Sequence, residues 1–108
     1  MSDQVISLAI QGAKEMATKV ANELEKIKGK GNSFSISFPD TAYFLPYIYG
    51  SLGKSVKNVG DLLGIYQDMS KIVDGLPQNP TLGTALDAGR ATLIGQEILM
   101  AARYGQGL

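Results

Sequence analysis

The sequence predicts an all-α fold, a bundle of about four helices with one short extended segment. Three observations carry that expectation. Apolar residues return at three- and four-residue steps over most of the chain, which is the helical period. Glycine and proline clusters separate those stretches from one another. Only one short run alternates apolar and polar residues, as an extended segment does.

Residues 3–28 form the first expected helix. Ser2 or Asp3 can cap it, because a side-chain oxygen there can accept from a free backbone N–H of the first turn. Ile6, Ile10, Ala13, Ala17, Val20, Leu24 and Ile27 share one face. Lys14, Glu15, Lys19, Glu23, Lys26 and Lys28 fall mostly on the other. Gly29, Gly31 and Asn32 stop the helix. The run Phe34-Ser35-Ile36-Ser37-Phe38 follows and alternates. With no second such run to pair with, it reads as an extended linker or a docking strand, and Pro39 biases Phe38 away from helical angles.

Asp40 is placed to cap a short helix through Thr41–Leu45, and Pro46 should bend the chain unless it lies in a first turn. Gly50 and Gly53 end that element. Val59, Leu62, Leu63, Tyr66, Met69, Ile72 and Val73 mark a further helix over 59–74, with Gly75 at its end and Pro77 just beyond. After Pro80 a last long helix runs from about Thr81 to Tyr104. Gly83, Ala85, Ala88, Gly89, Ala91, Gly95 and Ala102 give it many small positions. Each interior glycine costs roughly 0.8–1 kcal/mol relative to alanine. The close approach of another helix or backbone is expected to offset that cost.

A chain of 108 residues makes one domain, spanning 1–108. At 44% hydrophobic and 19% charged residues it is globular in composition. Ten basic residues balance ten acidic ones, so nothing in the overall charge favours a nucleic acid or an anionic membrane. No cysteine and no histidine are present, which excludes disulfides, thiolate nucleophiles, iron–sulfur ligation and imidazole metal sites. The start, Met1-Ser2-Asp3-Gln4-Val5, carries an acid where a signal peptide has bases. No apolar run approaches the ~20 residues that span a bilayer, so a cytoplasmic location is expected.

Several motifs suggest chemistry, and each has an ordinary alternative. Gly50-Ser51-Leu52-Gly53-Lys54-Ser55 resembles part of a phosphate loop, but Ile48 stands where the motif has its first glycine and a helix precedes it. Gly29-Lys30-Gly31 is a turn rather than a dinucleotide fingerprint. Asp61, Asp68 and Asp74 read as the solvated side of an amphipathic helix. Glu97 is flanked by apolar residues, so burial would require a partner, which Arg90 or Arg103 is placed to supply. The densest feature is Tyr43-Phe44-Leu45-Pro46-Tyr47-Ile48-Tyr49: of five tyrosines and three phenylalanines in the chain, four lie in these seven residues. Phe44, Leu45 and Ile48 suit a core. Three neighbouring tyrosines cannot easily bury every hydroxyl, so Tyr43, Phe44, Tyr47 and Tyr49 are the candidate interface residues. No catalytic, cofactor-binding or metal-binding residue is expected.

Phe38-Pro39-Asp40-Thr41-Ala42-Tyr43-Phe44-Leu45-Pro46-Tyr47-Ile48 resembles the "YPDTAYYLPVI" segment of bacterial acetyl-CoA synthase, the partner of carbon monoxide dehydrogenase in the Wood–Ljungdahl pathway of carbon fixation. Gly53-Lys54-Ser55-Val56-Lys57-Asn58-Val59-Gly60-Asp61-Leu62 is similar to that family's "GEEVKKLGEL". Ala88-Gly89-Arg90-Ala91-Thr92, Glu97-Ile98 and Ala102-Arg103-Tyr104 resemble "AGEAT", "EII" and "LRY". The first helix, with Gly12-Ala13, fits more loosely, and Gly95-Gln96 replaces residues that tend to be alanine. The resemblance covers nearly the whole chain.

The resemblance implies an N-terminal fragment of a larger acyltransferase, itself non-catalytic. It implies as partners the carbon monoxide dehydrogenase subunit and the remaining acetyl-CoA synthase domains, with no nucleic acid or membrane. It also implies a part in enclosing a hydrophobic tunnel for carbon monoxide. The family's nickel–iron–sulfur cluster is bound by cysteines of a C-terminal domain to which no position here corresponds. The alternative is a free-standing helical interaction module unrelated to catalysis.

Overall fold

A computed structural model describes residues 2–29, 34–78 and 81–107. Among them are α1 (Asp3–Ile27), α2 (Phe38–Phe44), α3 (Pro46–Gly50), α4 (Val59–Asp74) and α5 (Leu82–Gly105), and no strand. The all-α expectation holds, with one more helix than the sequence suggests. Four of the five starts have a local cause: Ser2, Ser37, Asn58 and Thr81 accept from the backbone N–H of Val5, Asp40, Asp61 and Thr84.

Three long helices form the body. Ala21, Leu24 and Lys28 lie beside Leu63 and Tyr66, whereas Ser7 and Ile10 lie beside Leu76 and Pro77, so α4 runs antiparallel to α1. Met16 meets Gly95, and Lys26 shares a groove with Arg103, so α5 runs parallel to α1. Ile10, Val20 and Leu24 of α1, Leu62 and Met69 of α4, and Ile94 and Ile98 of α5 make the centre of one core. Burying each such side chain contributes about 1.5–3 kcal/mol.

The short elements differ from expectation in three places. Ser37, not Asp40, caps α2. Pro39 sits in the first turn, where its missing N–H is not needed, and the helix therefore starts at Phe38. Phe38 accordingly leaves the extended segment, which retains residues 34–37 with Phe34 and Ile36 buried. That segment does have a backbone contact, since the Ile36 N–H donates to the Lys57 carbonyl at 3.0 Å. Leu45, in neither helical nor strand geometry (φ −124°, ψ 60°), breaks the chain between α2 and α3, and Pro46 becomes the first residue of α3. The turn around Gly29 expected to stop α1 is described only at Gly29; Lys30, Gly31 and Asn32 lie outside the described residues, as does Pro80.

The glycine expectation for α5 divides. A Cβ on Gly95 would collide with Met16 and stand 2.9 Å from Met69 Cε, and one on Gly105 would collide with the Phe34 ring. Those two glycines admit neighbours. A Cβ on Gly89 would meet nothing within 4 Å, so close packing does not explain that residue.

Candidate functional site

α2 and α3 lie against the second half of α5, and what fixes them there is a carboxylate. The first turn of any helix leaves backbone N–H groups without partners. Pro46 removes one of them in α3, but Leu45 before it has no side-chain oxygen to serve the rest. Glu97 of α5, only 6% exposed, supplies the acceptors: Oε2 takes the Tyr47 N–H at 3.0 Å and Oε1 the Ile48 N–H at 2.9 Å. The arginine partner expected for Glu97 is therefore replaced. Two convergent amides at a helix N-terminus satisfy the charge as a cation would. Arg90 instead reaches Asp87 at 3.6 Å and the Tyr47 hydroxyl at 3.4 Å. Arg103 lines a groove against α1.

α2 is tied down at two further points. The buried Thr41 hydroxyl donates to the Val56 carbonyl at 2.7 Å, holding α2 to the segment before α4. Asp40 accepts from the Ser37 hydroxyl at 2.7 Å and from the Tyr104 hydroxyl at 2.8 Å. The Ser37 bond first, and Tyr104 second, hold the Asp40 carboxyl below its ordinary value. The same contact with Asp40 raises the Tyr104 phenol.

This scaffold presents rings. Tyr43 is 80% exposed, Phe44 40% and Tyr49 38%. Tyr43 meets Phe44 edge-on at 5.2 Å between centroids, Phe44 meets Tyr104 at 5.0 Å, and Phe38 meets Tyr49 edge-on at 5.4 Å. Tyr47 is separate from them. It packs on the core, and its hydroxyl turns to Arg90. Of the four tyrosine-stretch candidates, three thus lie on an open face and one helps to hold it. Phe38 and Tyr104, which sequence reasoning assigned to other elements, join the face. Tyr104 was findable: it lies four residues after Met100, on the same outward side of α5.

The other sequence motifs resolve as structure. Gly50 closes α3, Gly53 adopts φ +64°, a left-handed geometry suited to glycine, and Lys54 pairs with Asp68. Asp61 accepts from the Lys57 N–H at 2.8 Å at the exposed start of α4. A nickel–iron–sulfur cluster takes thiolate ligands. A chain with no cysteine or histidine offers none, so its residues do not fit such a group. Among the described residues, no helix is long and apolar enough to cross a membrane.

The family model of the carbon monoxide dehydrogenase subunit alpha N-terminal domain matches residues 15–104. Acetyl-CoA decarbonylase/synthase complex subunit beta 1 of Methanocaldococcus jannaschii is 34% identical over 102 residues, which is 94% of this chain and 13% of that protein. Carbon monoxide dehydrogenase/acetyl-CoA synthase subunit alpha of Moorella thermoacetica is 37% identical over 82 residues, 74% of this chain and 11% of that protein. The chain therefore spans between a tenth and a seventh of these curated relatives. No solved structure matches it significantly.

Proposed function

The chain belongs to the family of carbon monoxide dehydrogenase subunit alpha N-terminal domains, and from that membership we propose that it is a non-catalytic docking part of a CO-methylating acetyl-CoA synthase. Its partners in this reading are the carbon monoxide dehydrogenase subunit and the remaining synthase domains. Acyl transfer and the nickel–iron–sulfur cluster belong to those other domains. The observation that supports docking is the open aromatic face formed by Tyr43, Phe44, Tyr49, Phe38 and Tyr104 on α2, α3 and the end of α5. Exposed and partly exposed aromatic rings are a residue type enriched in protein interfaces.

A share in enclosing a tunnel for carbon monoxide is proposed as well, on family membership alone. The inner small positions Gly95 and Gly105 are filled, by Met16 and Met69 and by Phe34.

Calorimetric titration of the chain with purified carbon monoxide dehydrogenase subunit tests the docking. Micromolar binding is expected, and Tyr43→Ala, which removes the most exposed ring, should weaken it about tenfold, or ~1.4 kcal/mol. Absence of binding at tens of micromolar would sink the proposal.

A further inference from the structure

α5 departs from the pattern that α1 and α4 follow. α4 gathers its large apolar residues on the core side, and α1 does so beyond its first two turns, where Val5 and Leu8 are exposed. In α5 the core side is closed by Ala88, Ala91, Ile94, Ile98 and Ala101, yet the opposite side is apolar too. Leu82, Leu86, Leu93 and Met100 are 59%, 63%, 39% and 50% exposed. A helix that is apolar all round is normally covered on every side.

The spacing says what shape covers it. Leu82, Leu86, Gly89 and Leu93 follow one another at steps of four, three and four, and Gln96, Met100 and Arg103 continue that alternation to the end of the helix. All seven positions are exposed. Alternating steps of three and four make the seam along which two helices interlock side chains. From Leu82 to Met100 the seam runs about 27 Å at the helical rise per residue. Gly89 sits in its middle with open space above it, a notch that receives a large side chain from a facing helix. The helical cost of that glycine, unexplained by the domain's own packing, is thereby accounted for.

The charges say what kind of helix. The two carboxylates of α5 are already engaged, Glu97 with the N-terminus of α3 and Asp87 with Arg90. Cations dominate the seam's other edge, where Arg103 shares a groove with Lys19 and Lys26 of α1, and the acid there, Glu23, lies 3.8 Å from Lys26. We propose that this face takes one amphipathic helix, with leucine-like residues at heptad spacing and carboxylates along the edge that meets Arg103 and Lys19. A second copy of the chain suits the face poorly, because its own α5 brings no free carboxylate to that edge. The seam borders the aromatic face only at its end, where Met100 stands one turn before Tyr104, and Tyr43 and Tyr49 belong to α2 and α3, so a Tyr43 variant separates the two proposals.

The test is an anisotropy titration of the chain with a labelled synthetic peptide of four heptads, leucine at the seam positions and glutamate along the flanks. The same peptide with lysine flanks is the control. The glutamate peptide is expected to bind, the lysine peptide to bind about tenfold more weakly, and Leu93→Lys to weaken the former about tenfold. Met100→Lys, at a half-exposed position, serves if Leu93→Lys alters the circular dichroism of the free chain. Tyr43→Ala should leave peptide binding unchanged. Equal affinity for both peptides, binding of neither, or a sedimenting dimer of the chain that Leu93→Lys dissociates would overturn the proposal.

Discussion

The two sides of α5 carry similar residues and do opposite things. On the inner side, Gly95 makes room for Met16 and Met69, Gly105 makes room for Phe34, and Glu97 spans to the backbone of α3. On the outer side, Gly89 faces open space between Leu86 and Leu93. A small residue inside a helix thus marks close packing in one case and an uncovered notch in the other. Only the neighbours tell which. The lesson is that the inner side holds the fold together, whereas the outer side costs little to alter and is available to something else.

The largest break in that contrast comes from Glu97. Glu97→Ala leaves the part-buried Tyr47 N–H and the buried Ile48 N–H without their acceptor and should lower unfolding free energy by about 3 kcal/mol in urea denaturation. Glu97→Gln keeps one acceptor oxygen and should cost about 1 kcal/mol. If both variants unfold like the parent, the carboxylate does not hold α3. Next is Gly95→Ala, whose added methyl displaces Met16 and Met69 and should cost about 1–2 kcal/mol after its gain in helix propensity. Gly89→Ala is its outer counterpart and should stabilise by up to about 1 kcal/mol. A destabilised Gly89→Ala or a stabilised Gly95→Ala would abolish the distinction between the sides.

The smallest effect concerns the contact that pins Tyr104 to α2, read as a difference between the parent and Tyr104→Phe. The Asp40 carboxyl is lowered on folding, so its contribution is complete above 3.8 and fades as pH falls through the folded value. The Tyr104 phenol is raised, so its contribution is complete below 10.0 and fades as pH rises through the folded value. Thermal melts of the two proteins should therefore differ by a constant amount at intermediate pH and converge at both extremes. A difference that persists at strongly acid pH would show that Asp40 is not the acceptor that matters.

Much of the fold was legible because α1 and α4 bury one stripe each, and a stripe at the helical period is a local signal. Asp3–Ile27 and Val59–Asp74 fall within a residue of their expected limits. The region from 34 to 50 was harder. Whether Phe38 is strand or helix turns on Pro39 being tolerated in a first turn, and whether α3 exists at all turns on Glu97, about fifty positions further along the chain. A propensity pattern contains no such acceptor. One clue was present in the sequence: Pro46 follows a leucine with no capping oxygen, and Glu97 is an acid among apolar neighbours. Each lacked what the other has. The aromatic candidates were visible as a cluster, but their division into three open rings and one anchored one depends on where Arg90 and the core lie.

Hydrogen exchange of the chain, alone and with the carbon monoxide dehydrogenase subunit bound, tests the docking claim most directly. The expected result is slowed exchange across Phe38–Phe44 and Pro46–Gly50, with the amides of Val59–Asp74 unchanged. Slowing confined to Val59–Asp74, or no slowing anywhere under saturating partner, would contradict the assignment of the aromatic face as the docking surface.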